Sequence, residues 1–294
     1  MKVAVVTGAN KGLGFGIVRG LCKRFDGDVI LTARNESRGK EAIQTLEKEG
    51  LHPKFHQLDI TDHDSIVRLR DYLQNTYQGL DVLVNNAAIA YQFNGSVAPP
   101  YPEEVREVCH TNYFSVVDVC QVLFPLLRPH ARVCNVSSVS CHESFYGCST
   151  VVQNRIKNAM HTIEDVNQLI RDFVEAAQKD QAEKFGFDRF PYGMSKVGIS
   201  LMSAIQQKTF DQTGAEDIIV NCCDVGAGGW VATDMTNHYG VSVDKGALNP
   251  LFCALLPPNV DGPKGKFLYD EEEYDWWNLD LTQVPGGFTE TQYQ

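Results

Sequence analysis

The stretch Thr7-Gly8-Ala9-Asn10-Lys11-Gly12-Leu13-Gly14 stands between a continuous apolar run, Val3–Val6, and an amphipathic segment over residues 13–25. A short buried strand, a glycine-rich turn and a helix, in that order, suit a pyrophosphate. Glycines let the turn tighten and the backbone approach the phosphates, and the helix N-terminus then stabilises their charge. The spacing is Gly-x3-Gly-x-Gly, not Gly-x-Gly-x-x-Gly, and glycines alone would equally suit a tight βα turn with no ligand. The strand before and the helix after favour the dinucleotide reading.

The same alternation runs outward from this turn. Residues 28–31, 54–58, 82–84 and 132–136 read as strands, and 37–49 and 64–77 as helices. A long helix follows near 192–210, then strands near 218–222 and 266–269. Strands separated by helices of about 10–15 residues imply right-handed βαβ units. The expected architecture is α/β: a Rossmann-like, doubly wound sheet of about seven parallel strands with helices on both faces.

Residues 1–275 read as a single dinucleotide-binding catalytic domain. A polar stretch from about 141 to 190 interrupts the rhythm and carries a helix of its own. Thr162, with Asp165 three residues on, opens it in the manner of a capping box. Ile163, Val166, Leu169, Ile170, Phe173, Val174 and Ala177 mark a single apolar face that must pack on something. No Pro/Gly/Ser-rich linker brackets the stretch, so it reads as an insertion in one domain. From Asp270 the chain turns acidic and aromatic, and 276–294 is expected to be a C-terminal surface tail.

Composition excludes several classes of partner. Of 294 residues, 43% are hydrophobic and 21% charged, enough apolar content for a sizeable core. Lys and Arg total 26 against 37 Asp and Glu, a net charge of -11, which argues against nucleic-acid and anionic-membrane partners. No run approaches the ~18–20 apolar residues of a membrane span, and the N-terminal apolar run is too short for a signal h-region. Nine cysteines, odd in number and without a CxxC pair, favour reduced, buried thiols in a cytoplasmic protein. The histidines show no ligand spacing, so no metal is expected.

An acid about 20 residues past the glycine loop marks NAD-selective sites, where it binds the ribose 2′-hydroxyl. Here that position holds Arg34, with Lys11 in the loop and Arg38 one helical turn on. Cations converging there suit a 2′-phosphate, so NADPH is favoured over NADH, although Glu36 lies close. Asp59, after the strand at 55–58, is placed to meet the adenine, and Asn86 ends the fourth strand. Tyr192 and Lys196 in Tyr192-Gly193-Met194-Ser195-Lys196 share a helix face. An ammonium beside a phenol favours the phenolate, which would bring the phenol's pKa down towards working pH. Asn135-Val136-Ser137-Ser138 closes a buried strand and offers a hydroxyl to the same crevice.

The glycine loop, Asn85-Asn86-Ala87, the Ser137-Ser138 strand end and Tyr-x3-Lys, in this order, resemble the short-chain dehydrogenase/reductase family. More narrowly, the chain is similar to monomeric NADPH-dependent carbonyl reductases. Further matches at Leu58-Asp59-Ile60, residues 80–87, Thr111-Asn112, Cys222-Cys223 and Leu255-Leu256-Pro257-Pro258 extend the likeness from residue 1 to about 270. The 54 positions between Ser138 and Tyr192 agree with it, because in those reductases the insertion covers a helix face that oligomeric relatives use for pairing. A monomer is therefore implied.

The resemblance implies reduction of ketones, aldehydes or quinones to alcohols, with a small-molecule carbonyl substrate. Tyr192 would protonate the carbonyl oxygen, Ser138 would orient it, and Lys196 would hold the nicotinamide ribose and depress the Tyr192 pKa. Asn112 would anchor a water that relays the proton. Gly8, Asn10, Lys11, Gly12, Leu13, Gly14, Arg34, Arg38, Asp59, Ile60, Asn86, Val231 and Thr233 would line the cofactor with Tyr192 and Lys196. Beside Ser138 and Tyr192, Trp230 and Tyr239 read, from their residue type, as the floor of an apolar substrate pocket or equally as core. Cys223 reads as a buried inert thiol or as a reactive one.

Two departures stand out. Ala88 replaces the family's glycine, and Asp224 to Gly229 replace a proline-glycine turn with a longer loop. The rivals are a steroid or prostaglandin alcohol dehydrogenase, or a cofactor-binding protein whose turnover the altered loop has impaired.

Overall fold

The computed structural model describes residues 1–91, 98–225 and 230–278. In chain order the elements are β1 (Val3–Val6), α1 (Gly12–Arg24), β2 (Asp28–Ala33), α2 (Glu36–Lys48), β3 (Lys54–Gln57), α3 (His63–Tyr77) and β4 (Leu80–Asn85). Then come α4 (Tyr101–Cys109), a π-helical turn (His110–Phe114), α5 (Ser115–Leu123) and β5 (Leu127–Val136). The insertion supplies α6 (Ser140–Gly147), α7 (Thr150–Asn158) and α8 (Ile163–Gln178). The chain resumes with α9 (Pro191–Thr213), β6 (Ile219–Cys223), α10 (Val243–Gly246), α11 (Leu248–Ala254), β7 (Phe267–Tyr269) and β8 (Glu272–Tyr274).

The strands form one sheet in the order β3-β2-β1-β4-β5-β6-β7-β8. From β1 the chain winds outward to β3, crosses back to β4, and winds out the other way. β1 pairs in parallel with β2 on one side, Val3 opposite Asp28, and with β4 on the other, Ala4 opposite Val82. The reversal between β1 and β4 opens a crevice at their carboxyl ends, where ligands of open α/β sheets bind. All four residues of β1 are buried, as an unbroken apolar run requires when both faces are covered.

The sequence led us to expect about seven parallel strands; the sheet has an eighth, and it is antiparallel. β8 folds back on β7 with Phe267 opposite Tyr274. The hairpin turns on Asp270 and Glu271, both left-handed with φ of 52° and 66°. No glycine or asparagine announces that turn, and the acidic Glu272 and Glu273 read as tail when they are exposed charged residues of an edge strand.

The first residues of the tail expected from 276 are packed against the fold. Trp276 is 5% exposed and packs edge-on against Phe145 of α6. Its carbonyl meets His142 Nδ1 at 2.8 Å, and the Tyr146 hydroxyl donates to the Trp277 carbonyl. Residues 279–294 of the expected tail lie outside the described residues.

The insertion behaves as its apolar stripe requires. Thr162 and Asp165 form the reciprocal capping box, and Val166, Leu169, Ile170, Phe173 and Ala177 are buried in one cluster with residues of α4 and α9. The Tyr113 hydroxyl, from the π turn, donates to Asn167 of α8 at 3.0 Å.

Candidate active site

At the cofactor end, the end of β4 is stapled to the glycine turn. The Thr7 hydroxyl accepts from the backbone N–H of Asn86 and of Ala87, both at 3.0 Å. Asn86 Nδ2 donates to the carbonyls of Thr7 (2.9 Å) and Gly8 (3.1 Å). Asn86 is thus a clamp on the turn. Gly8 and Gly12 are left-handed, with φ of 61° and 56°. A Cβ on Gly14 would stand 2.7 Å from the Gly8 carbonyl oxygen, so that position must stay glycine. Lys11, the N-cap of α1, makes no side-chain cap, which leaves the first-turn amides for an anion.

The Lys11 ammonium pairs with Asp234 at 2.5 Å. Lys11, and with it the charges of His238 and Arg38, holds the Asp234 carboxyl below its ordinary range. Lys11 is thus ion-paired to Asp234, with the Arg38 charge acting on the same carboxylate, while Arg34 follows β2 on the exposed surface. A Cβ on Gly12 would lie 3.2 Å from Thr233 Cγ2, which places Thr233 over the turn. Thr233 N-caps the short 3-10 turn Asp234–Thr236, and buried Val231 bridges to Val241. Asp59 Oδ1 accepts from the N–H and hydroxyl of Thr61, and Ile60 beside it is buried. Asn10 and Leu13 are half-buried along the turn. Left-handed glycines, an uncapped helix start and two neighbouring cations fit a phosphorylated dinucleotide.

At the chemical end, Pro191 opens α9 at a position that needs no N–H, and one turn separates Tyr192 from Lys196. A Cβ on Gly193 would come within 2.7 Å of the Ser140 carbonyl oxygen and 2.8 Å of Phe190. α9 therefore lies hard against α6, and the Tyr192 phenol reaches a hydrogen bond with Ser138. Lys196 is 3% exposed; its Nζ donates to the Val136 carbonyl at 2.7 Å and stands 5.3 Å from the centre of the Tyr192 ring.

Burial brings the Lys196 ammonium down to about 8, opposed in part by the Asp224 charge. The expectation that Lys196 would pull the Tyr192 phenol down is not met in the free protein. Burial first, then the Asp224 charge, raise that phenol above its ordinary value, against the Ser138 hydrogen bond. A phenol held protonated is what a proton donor needs.

Asn112 sits in the π turn and is 1% exposed. Its Oδ1 accepts from Ile89 N–H (2.8 Å), and its Nδ2 donates to the Ile89 carbonyl (2.9 Å) and to Ser195 Oγ (3.2 Å). Ser195 Oγ donates in turn to the Tyr192 carbonyl at 2.6 Å. A π turn at a functional site is a recurring device, and here it delivers Asn112 to the base of α9.

Sequence reading left Thr7, Ser195 and Asn249 without roles. Asn249 Nδ2 donates to the carbonyls of Asp224 (2.7 Å) and Leu268 (3.0 Å), which fixes Asp224 in place. Asp224, 5% exposed, accepts from Val139 N–H at 2.9 Å, so the departure from proline is built into the site wall. Residues 226–229 of the altered loop lie outside the described residues. Ala88 is not among the left-handed residues, so it carries none of the strain expected of a glycine replacement. Trp230 is half-buried, whereas Tyr239 is 67% exposed and is not a pocket floor. Cys223 is wholly buried, in keeping with the inert reading.

This chain belongs to the short-chain dehydrogenase/reductase family: the family described as short chain dehydrogenase matches residues 2–150. It is 43% identical over 277 residues to rabbit (Oryctolagus cuniculus) carbonyl reductase [NADPH] 1, covering 94% of this chain and 98% of that one. Human carbonyl reductase [NADPH] 3 is 41% identical over the same length, with the same coverage. Among solved structures, salutaridine reductase from Papaver somniferum is similar with a TM-score of 0.80 and 27% identity, covering 92% of this chain and all of that one.

Proposed function

We propose that this chain is an NADPH-dependent carbonyl reductase acting on small ketones, aldehydes or quinones. The observation that carries the reading is the joining of Ser138 to Tyr192, one helical turn from buried Lys196, at the carboxyl edge of the sheet beside a glycine turn. The names of the relatives above support both cofactor and reaction.

The reduced nicotinamide supplies the hydride when bound. The protein's own residues handle the oxygen. Ser138 holds the carbonyl oxygen, and the Tyr192 phenol donates the proton to the alkoxide that forms. Lys196, fixed by Val136, holds the nicotinamide ribose. Asn112, through Ser195, sets the first turn of α9. Lys11, Arg34 and Arg38 hold the 2′-phosphate, Val231 and Thr233 cover the turn, and Trp230 bounds the substrate.

The chain acts as a monomer, because α8 already covers faces of α4 and α9. Nine free cysteines, eight of them buried, suit a reducing cytoplasm.

NADPH oxidation measured with quinones, aromatic aldehydes and steroid ketones tests the reading. Tyr192→Phe should lose roughly 10²-fold or more in kcat while NADPH still binds, the range expected for a general acid. Turnover that survives in Tyr192→Phe refutes the assignment. NADPH binding without turnover of any substrate in the wild type points instead to a cofactor-binding protein.

A further inference from the structure

Three cysteines far apart in the chain meet inside the core. Cys134 lies in β5, Cys223 ends β6, and Cys253 lies in the last turn of α11. Their sulfurs all fall within 4.8 Å of one another, and Cys134 Sγ is 3.6 Å from Cys223 Sγ. Exposures are 0%, 0% and 1%. The surroundings are apolar: Val136, Leu251, Ala254 and Leu268 belong to the same cluster. Histidine spacing had given no reason to expect a metal; the fold, not the spacing, assembles this group.

We propose that Cys134, Cys223 and Cys253 form a three-coordinate thiolate site for a soft monovalent cation, Cu(I). Sulfur donors select soft ions. Structural zinc sites are four-coordinate, and no fourth ligating side chain joins this group among the described residues. A dry, apolar wall offers little to a metal-bound water. With Cys134 and Cys223 Sγ 3.6 Å apart and all three sulfurs within 4.8 Å of one another, small shifts suffice to gather them around one small ion.

Binding is ligand exchange without electron transfer. Three S–H bonds and the bonds from Cu(I) to its incoming ligands (four acetonitriles in the loading reagent) break, three Cu–S bonds form, and the protons and displaced ligands leave to solvent, since a coordinating thiol is deprotonated outright. Three thiolates around Cu(I) carry a charge of -2.

The test loads the full chain anaerobically with tetrakis(acetonitrile)copper(I) against a chromogenic Cu(I) chelator. One equivalent should be retained, with X-ray absorption showing three sulfur neighbours and no nitrogen or oxygen. Cys134→Ala and Cys253→Ala should each weaken retention at least tenfold and keep carbonyl reduction, which shows that they fold. Cys22→Ser, at the one half-buried thiol, should change nothing. Failure to retain copper, a sulfur count other than three, or retention unchanged in both triad variants would overturn the proposal. Should either variant fail to fold, the wild-type sulfur count decides alone.

Discussion

Asp224 is the residue that most sets this chain apart from its family's pattern, and its surroundings say what it does. Its carboxylate is buried, held by Val139 N–H, while Asn249 holds its backbone carbonyl. Its charge raises the Tyr192 phenol and also raises the Lys196 ammonium, which burial has brought down to about 8. A reductase of this design works with Tyr192 protonated and Lys196 charged, so activity falls as pH rises through the lower of the two values, that of Lys196. Asp224→Asn removes a charge that favours both protonated forms. The alkaline limb of kcat/KM should therefore move to lower pH, by roughly one unit if the partner charge acts as neighbouring charges usually do. A pH profile measured in both proteins checks this; an unmoved limb, or one displaced to higher pH, contradicts the role given to Asp224.

Elements carry the site only as well as they pack. α9 bears Tyr192, Ser195 and Lys196, and Gly193 allows it to touch α6, which follows Ser138 directly. Gly193→Ala puts a methyl group 2.7 Å from the Ser140 carbonyl, a backbone atom that cannot swing aside. The helix must shift, and a misplacement near 1 Å can cost about 10²-fold in rate. We expect kcat to fall by about that factor, with a smaller loss of NADPH affinity, since α9 carries Lys196 while the glycine turn between β1 and α1 stays in place; stopped-flow binding beside steady-state assays separates the two. Unchanged kcat would mean that the α6–α9 contact does not position the phenol.

The same elements show what was legible beforehand. Strands β1 to β7 and helices α1, α2, α3 and α9 follow from apolar runs and helical periodicity. The glycine turn, Ser138, Tyr192 and Lys196 were picked out beforehand by spacing and by the family resemblance, and the fold brings Ser138 and Tyr192 together one helical turn from Lys196. Hidden were features made only by tertiary contact: the Asp270-Glu271 hairpin with no turn glycine, Trp276 under α6, the Asn112–Ser195 link, and the three sulfurs. The phenol's raised pKa was hidden too, because burial, which outweighs neighbouring charge there, cannot be read from spacing.

For the whole molecule, a net charge of -11 and a polyanionic cofactor are reconciled by placement. Lys11 and Arg38 converge near the glycine turn, whereas acidic Glu271, Glu272 and Glu273 occupy the far hairpin beyond β7. Self-repulsion on so acidic a surface opposes association. The insertion acts in the same direction. α8 lays Val166, Leu169, Ile170 and Phe173 against α4 and α9, so that their apolar faces are filled from within one chain. In the proposed monomer that apolar area is not free for pairing. Sedimentation velocity should give a single 32.8 kDa species across a hundredfold range of concentration and with NADPH added. A concentration-dependent dimer would show that α8 does not close the pairing face, and that another surface must be sought.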